Sequence, residues 1–140
     1  MKKKIFSVFL FYFFGLLANP SSPDIKAGNV TFSNLINNAI QSIPDNRRGE
    51  IAISLEITNK KVLIKIADNG SGIPKEIGDK LFEPNFTTKT SGMGLGLAIV
   101  KNIMEDAGGR IWYETEIGKG SAFLVEMPLY LPGNNTAVSD

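Results

Sequence analysis

Asn34, Asn38 and Gln41 are neutral amides at i, i+4 and i+7, a spacing that places them on one stripe of a helix. Asparagine is a mediocre helix former, and a face meant only for water more often carries Glu, Lys or Arg. A line of amides offers carbonyl oxygens and N–H groups to something polar. An amide oxygen is also a hard donor suited to Mg2+, which keeps several waters and takes phosphate oxygens besides. The competing reading is an ordinary amphipathic helix with an amide-rich wet face. The stripe by itself does not decide between them.

A second group is Asp68-Asn69-Gly70-Ser71-Gly72-Ile73-Pro74. An acid at a strand end followed by two glycines lets the backbone pass close to a planar ligand, and a carboxylate can accept a hydrogen bond from an exocyclic amine such as that of adenine. The plain alternative is a tight turn, for which Asn-Gly is a common signal. A third group is Gly92-Met93-Gly94-Leu95-Gly96-Leu97. Alternating glycines that lead into a helix bring bare N–H groups and the positive dipole end to one spot, a natural phosphate site. Neither GxxxxGK[ST] nor GxGxxG is present, so a P-loop and a dinucleotide fold are not supported. Upstream, Lys89 in Phe86-Thr87-Thr88-Lys89-Thr90 could reach a terminal phosphate or be a solvated loop lysine. Gly118-Lys119-Gly120-Ser121 could be a hairpin turn and nothing more.

Periodicity supplies the elements that must position these groups. Phe32, Leu35, Ile36, Ala39, Ile40 and Ile43 recur at spacings of three and four, which predicts a helix over residues 30–43, capped by Thr31 or Asn29 and ended by Pro44. Ile51, Ile53, Leu55 and Ile57, then Val62, Ile64 and Ile66, alternate with their neighbours as two strands of a hairpin. Pro74 opens a short helix running to Lys80. A long loop covers residues 82–94. Residues 95–107 form a second long helix with Leu97, Ala98, Val100, Ile103 and Met104 inward, ended by Gly108-Gly109. Residues 111–115 and 122–127 close the sheet. The order predicts a two-layer α/β sandwich, with helices on one face of a mixed, largely antiparallel sheet.

Length and composition agree with one globular domain: 140 residues, 43% hydrophobic and 21% charged, with a net charge of +1. No whole-chain field argues for nucleic acid. The absence of cysteine and histidine removes disulfides, metal–imidazole sites and Ser-His-Asp chemistry. Four divisions follow: an apolar segment at 1–18, a linker at 19–29, the domain at 30–130 and a polar tail at 131–140. Lys2, Lys3 and Lys4 precede the apolar run of residues 5–18. It reads as a signal peptide, as an inner-membrane anchor for a cytoplasmic domain, or as a stretch foreign to the domain. A ligand confined to the cytoplasm would favour the anchor, whereas lysines before the run favour a cytoplasmic N-terminus.

In this order and spacing the motifs resemble the catalytic ATP-binding domain of sensor histidine kinases, within the superfamily that includes gyrase, the Hsp90 chaperones and MutL. The resemblance spans residues 30–129. Asn34-Leu35-Ile36-Asn37-Asn38-Ala39 looks like the asparagine box, Asp68-Asn69-Gly70-Ser71-Gly72 like the first glycine motif, Leu81-Phe82-Glu83-Pro84-Asn85-Phe86 like the phenylalanine box, and residues 92–97 and 118–121 like the later glycine motifs. The short Phe86-Thr87-Thr88-Lys89 run looks more like nitrogen-regulation-type kinases. The resemblance implies a Bergerat-type fold that binds ATP and Mg2+. Asn38 would hold the metal and, with Lys89, serve catalysis. Asn34 would line the pocket, and Asp68 would accept the adenine amine beside Gly70, Gly72 and Ile73. Phe82 and Phe86 would anchor a lid carrying Thr88 and Lys89. Gly92, Met93, Gly94, Leu95, Gly96 and Leu97 would hold phosphates, with Ser121 near the base. The γ-phosphoryl would pass to a histidine on a helical phosphoacceptor and on to a response regulator.

The departures are equally specific. Family members carry their acceptor histidine on a preceding helical hairpin, and these 140 residues contain no histidine. Little room precedes Val30 for the strand and helix start that usually lead into the asparagine box, so a sheet lacking its first strand is expected. An ATP-binding module without kinase turnover is the alternative function.

Overall fold

The computed structural model describes residues 24–58, 60–86 and 94–129. Its elements are α1 (Asp24–Ser42), β1 (Ile51–Ile57), β2 (Lys61–Asp68), α2 (Lys75–Gly78), α3 (Gly96–Asp106), β3 (Arg110–Glu116) and β4 (Gly120–Pro128). The apolar run at residues 5–18 and the tail from 131 lie outside the described residues. Within those residues, no helix is long and apolar enough to cross a membrane.

The four strands form one sheet in the order β1-β2-β4-β3, and every pair among the described residues is antiparallel, with the helices on one face as the element order predicts. Side chains alternate across a strand, which turns Val62, Ile64 and Ile66 of β2 and Phe123 and Val125 of β4 to the face that the helices cover. Each of these is buried. α1 lies over β2 and β4, α3 packs beside it over β3 and β4, and the two helices touch. Leu35 and Ala39 of α1 and Val100 and Met104 of α3 complete the core. Leu97 and Ile103, expected inward, are half-buried against it.

Two boundaries differ from the periodicity reading. α1 starts at Asp24, so residues 24–29, expected as linker, are helical. Gly28, inside that stretch, is buried within the helix. Its cost of about 1 kcal/mol relative to Ala is small beside the burial that the rest of α1 supplies. The proposed caps Asn29 and Thr31 are therefore interior positions. Thr31 is fully buried, and its hydroxyl has no hydrogen-bond partner among the described residues. The short helix is one turn, Lys75–Gly78, closing into further turns through Leu81.

On the outer face of the sheet, Glu126 of β4 accepts from Lys61 at 2.9 Å and from Arg110 Nε at 3.0 Å, and the Arg110 guanidinium lies 4.6 Å from the centre of the Trp112 ring. The hydrogen bond from Lys61, then that from Arg110, holds the Glu126 carboxyl below its ordinary value of 4.5. A carboxyl depressed in the folded state adds stability above the unfolded pKa and loses it as pH falls through the folded pKa. The urea midpoint of Glu126→Gln is therefore expected below that of the parent at pH 7, with the gap narrowing as pH falls below 4.5 through the lowered folded value. In the core, Leu35→Ala is expected to cost about 2–5 kcal/mol by urea denaturation, because Leu35 is wholly enclosed.

Candidate functional site

A cleft of about 650 Å3 opens between α1, the loop after β2 and the start of α3. Its charged group is Asp68, the last residue of β2, buried at 9% exposure. Oδ1 accepts from the Gly70 N–H at 2.8 Å and from the Ser121 N–H at 3.3 Å. The first bond is the local turn that an Asx residue makes. The second comes from β4, whose register sets Ser121 opposite Asp68. Among the described residues no hydrogen bond occupies Oδ2, and Asp68 is the single formal charge on the cleft wall.

The glycines after Asp68 serve the protein's own packing. A Cβ on Gly70 would collide with the Ser42 side chain and lie 2.6 Å from the Ser42 carbonyl oxygen. Gly70 thus sits buried against α1 and does not line the cleft. Gly72 does line it, at φ +79°, yet a Cβ there would meet the Glu116 carbonyl oxygen at 2.6 Å. The expected role of these glycines, admitting a flat ligand, is therefore accompanied by a stricter one: seating the loop between α1 and the β3–β4 turn. The Ser71 N–H donates to the Ser42 carbonyl at 3.0 Å, and the Gly118 N–H to the Ser71 carbonyl at 2.9 Å.

Periodicity and spacing did not single out the residues that hold this loop. Arg47 Nη1 donates to the carbonyls of Asn69, Gly70 and Gly118 at 2.6, 3.1 and 3.1 Å, tying the loop after β2 to the β3–β4 turn. Asn69 accepts from the Glu50 N–H and donates to the Arg48 carbonyl. The Ile73 N–H, at the cleft wall, donates to Thr115 Oγ1 at 2.8 Å, and Thr115 and Ser121 share a hydroxyl–hydroxyl bond at 2.9 Å. An arginine in a turn and a threonine in a strand carry no spacing signal. Only the pairing of Thr115 with Ser121 in β3–β4 brings them into play.

The amide stripe faces the cleft as the helical spacing required: Asn34, Asn38 and Gln41 line it, and Asn37 joins them. Asn34 Nδ2 donates to the Val30 carbonyl at 3.0 Å, and its Oδ1 lies so near Gly96 that a Cβ there would approach it to 2.8 Å. Opposite, Gly94, Leu95, Gly96 and Leu97 form the wall where α3 begins. No side chain caps that helix start, so its first N–H groups and the positive dipole end have no capping side chain. Gly94, at φ +68°, lies against Asn85 and Phe86, closing the chain on either side of residues 87–93. Phe86 lines the cleft. Phe82 points away into a cluster with Tyr113 and Phe123, ring centres 6.3 and 6.5 Å distant. Ile73 and Ser121 line the cleft too. Thr88, Lys89, Gly92 and Met93 lie outside the described residues.

The cleft joins a buried carboxylate at one end to an uncapped helix start at the other, with amides along one side. That suits a ligand with an amine-bearing ring and an anionic tail. The chain belongs to the family of histidine kinase-, DNA gyrase B- and HSP90-like ATPases, whose model matches residues 29–131. Among curated relatives, the sensor histidine kinase ZraS of Escherichia coli K12 is 40% identical over 116 residues, covering 80% of this chain and 24% of its own. Sporulation kinase D of Bacillus subtilis is 38% identical over 96 residues, covering 69% of this chain and 19% of its own. This chain therefore spans about a quarter or less of the length of these relatives. Among solved structures, the catalytic domain of histidine kinase ThkA in a nucleotide-free form superposes with a TM-score of 0.67 at 40% identity, over 76% of this chain and 68% of that one. The mycobacterial sensor histidine kinase MprB gives 0.67 at 27% identity, over 76% and 74%.

Thr115→Val removes the acceptor of the Ile73 N–H and the partner of Ser121 at nearly constant volume. It is expected to lower stability by about 0.5–1.5 kcal/mol in chemical denaturation, with Thr115→Ser restoring most of the loss.

Proposed function

We propose that the cleft binds Mg·ATP and presents its γ-phosphoryl to a histidine of a helical phosphoacceptor, which then passes it to a response regulator. The observation that carries this reading is the division of labour within Asp68. Oδ1 is taken by two backbone N–H groups, which leaves Oδ2 to accept from the adenine amine. Ile73, half-buried and fixed through its N–H, would pack on the base. The phosphates would lie at the start of α3, where N–H groups and the helix dipole favour anions.

The residues present fit a magnesium ion. No cluster of three or more acidic, histidine or cysteine side chains occurs among the described residues, but Asn38 brings an amide oxygen to the cleft wall. One such hard donor, with phosphate oxygens and water, suffices for Mg2+. When bound, the ion would neutralise phosphate charge. The chain's own part is positioning: Asn34 and Asn38 along the nucleotide, and Gly92, Met93, Gly94, Leu95, Gly96 and Leu97 around the phosphates. Lys89, beside Thr88, would contact the γ-phosphate. Phosphoryl transfer depends mainly on such placement and charge neutralisation. The Phe86-Thr87-Thr88-Lys89 run supports the nitrogen-regulation type of kinase, and residues 5–18 would attach the domain to a membrane.

The absence of histidine from all 140 residues supports a second reading, an ATP-binding module without turnover. Radiolabelled phosphate transfer to an added histidine-bearing hairpin separates the two. For binding itself, Asp68→Asn is the sharpest test. The amide can keep the accepting oxygen towards Gly70 and Ser121 while placing a donor where adenine also donates. Calorimetry should show Mg·ATP affinity reduced about 10- to 100-fold, and a weaker loss for Asn38→Ala. Failure of the folded parent to bind Mg·ATP would sink both readings.

A further inference from the structure

We propose that Arg47 is a positioning residue for nucleotide recognition: it holds the peptide group between Asn69 and Gly70, and through that group sets the direction of the Asp68 carboxylate. The inference rests on the reading of the cleft as a Mg·ATP site. Arg47 lies in the turn that follows α1, where its N–H donates to the Pro44 carbonyl at 3.1 Å. Its neighbour Arg48 is exposed, whereas Arg47 is half-buried. Among the described residues no carboxylate pairs with Arg47. Its Nη1 donates instead to the carbonyls of Asn69, Gly70 and Gly118 at 2.6, 3.1 and 3.1 Å. Hydrogen bonds from a charged donor are stronger than neutral ones, and here they are all directed at backbone beside the cleft.

The shortest of the three bonds matters most. The Asn69 carbonyl and the Gly70 N–H belong to one peptide group, which is planar and trans, so they point in opposite directions. Arg47 holds the oxygen end at 2.6 Å, and the N–H end donates to Asp68 Oδ1 at 2.8 Å. Turning that plane would break both bonds together. The cationic donor also polarises the amide, which strengthens the bond that its N–H gives. Other contacts seat the loop without touching this peptide. The Asn69 side chain bonds the Glu50 N–H and the Arg48 carbonyl, and the Ser71 N–H bonds the Ser42 carbonyl. Removing the guanidinium therefore leaves the loop attached to α1 and β1 and releases the one plane that aims Asp68. The longer bond from the Ser121 N–H, at 3.3 Å, then holds Oδ1 without that support.

Calorimetry on the full 140-residue protein in mild detergent and Mg2+ compares ATP with purine riboside triphosphate, which lacks the exocyclic amine. In the parent the amine is expected to raise affinity about 10- to 100-fold. In Arg47→Met, which keeps an unbranched stem and loses every donor, that ratio is expected to fall at least about threefold, as coupled groups require. The ratio does not depend on the folded fraction, because partial unfolding lowers both affinities equally. Arg48→Met makes the same change of charge one residue away and should leave the ratio at the parent's value. A parental ratio in Arg47→Met, whether or not both affinities drop together, would mean that Arg47 is at most structural and would overturn the proposal. Equal narrowing by Arg48→Met would assign the effect to net charge and overturn it too. A folded parent that binds neither nucleotide, or both alike, would instead sink the Mg·ATP reading of the cleft and take this inference with it.

Discussion

Asp68 has to be buried, charged and correctly aimed at once, and much of the structure follows from how that is done. A carboxylate taken out of water needs hydrogen bonds, and Asp68 finds them from two directions: the turn that follows it and the strand that pairs beside it. The pairing strand can come this close only because Gly120, at φ +129°, has no side chain. A Cβ there would run into the Asp68 carbonyl. The glycine that looked like a hairpin ornament is therefore part of the carboxylate's socket. Ser121, next in sequence, supplies the N–H and links through its hydroxyl to Thr115, which in turn holds Ile73. One carboxylate oxygen is held by two backbone N–H groups, and Asp68 and Ile73 line the cleft together.

The same economy governs the rest of the cleft. Apolar packing of Leu35, Ala39, Val100 and Met104 brings α1 beside α3, and the polar edges of the two helices then form facing walls. Gly96 allows α3 to start close to Asn34, so the amide stripe and the uncapped N–H groups lie across a narrow gap. Arg47 gathers three carbonyls from two loops, a task suited to a guanidinium fork. The core sets where the elements go, and a few hydrogen bonds between loops set where the ligand-facing atoms go.

The cleft is built from the loop ends of β2 and β4 and from the facing sides of α1 and α3. β1 contributes no cleft residue and stands at the end of the sheet.

Local pattern in the sequence determined the two long helices, the four strands and the family resemblance, because 3.6- and two-residue periodicities and glycine spacing are written in neighbouring residues. It also singled out Asn34, Asn38 and Asp68, which the fold brings to one cleft. The start of α1 was placed too late because residues 24–29 lie outside the apolar three-and-four spacing that marked the helix, yet they are helical. What only the tertiary structure decided is long-range: that Gly70 and Gly120 yield to protein backbone, that Phe82 joins an aromatic cluster while Phe86 faces the cleft, and that Arg47, Ser42 and Thr115 hold the loop after β2. These partners lie up to 71 residues apart. No local pattern encodes such contacts, because strand register and helix packing bring them together only once the whole sheet has formed.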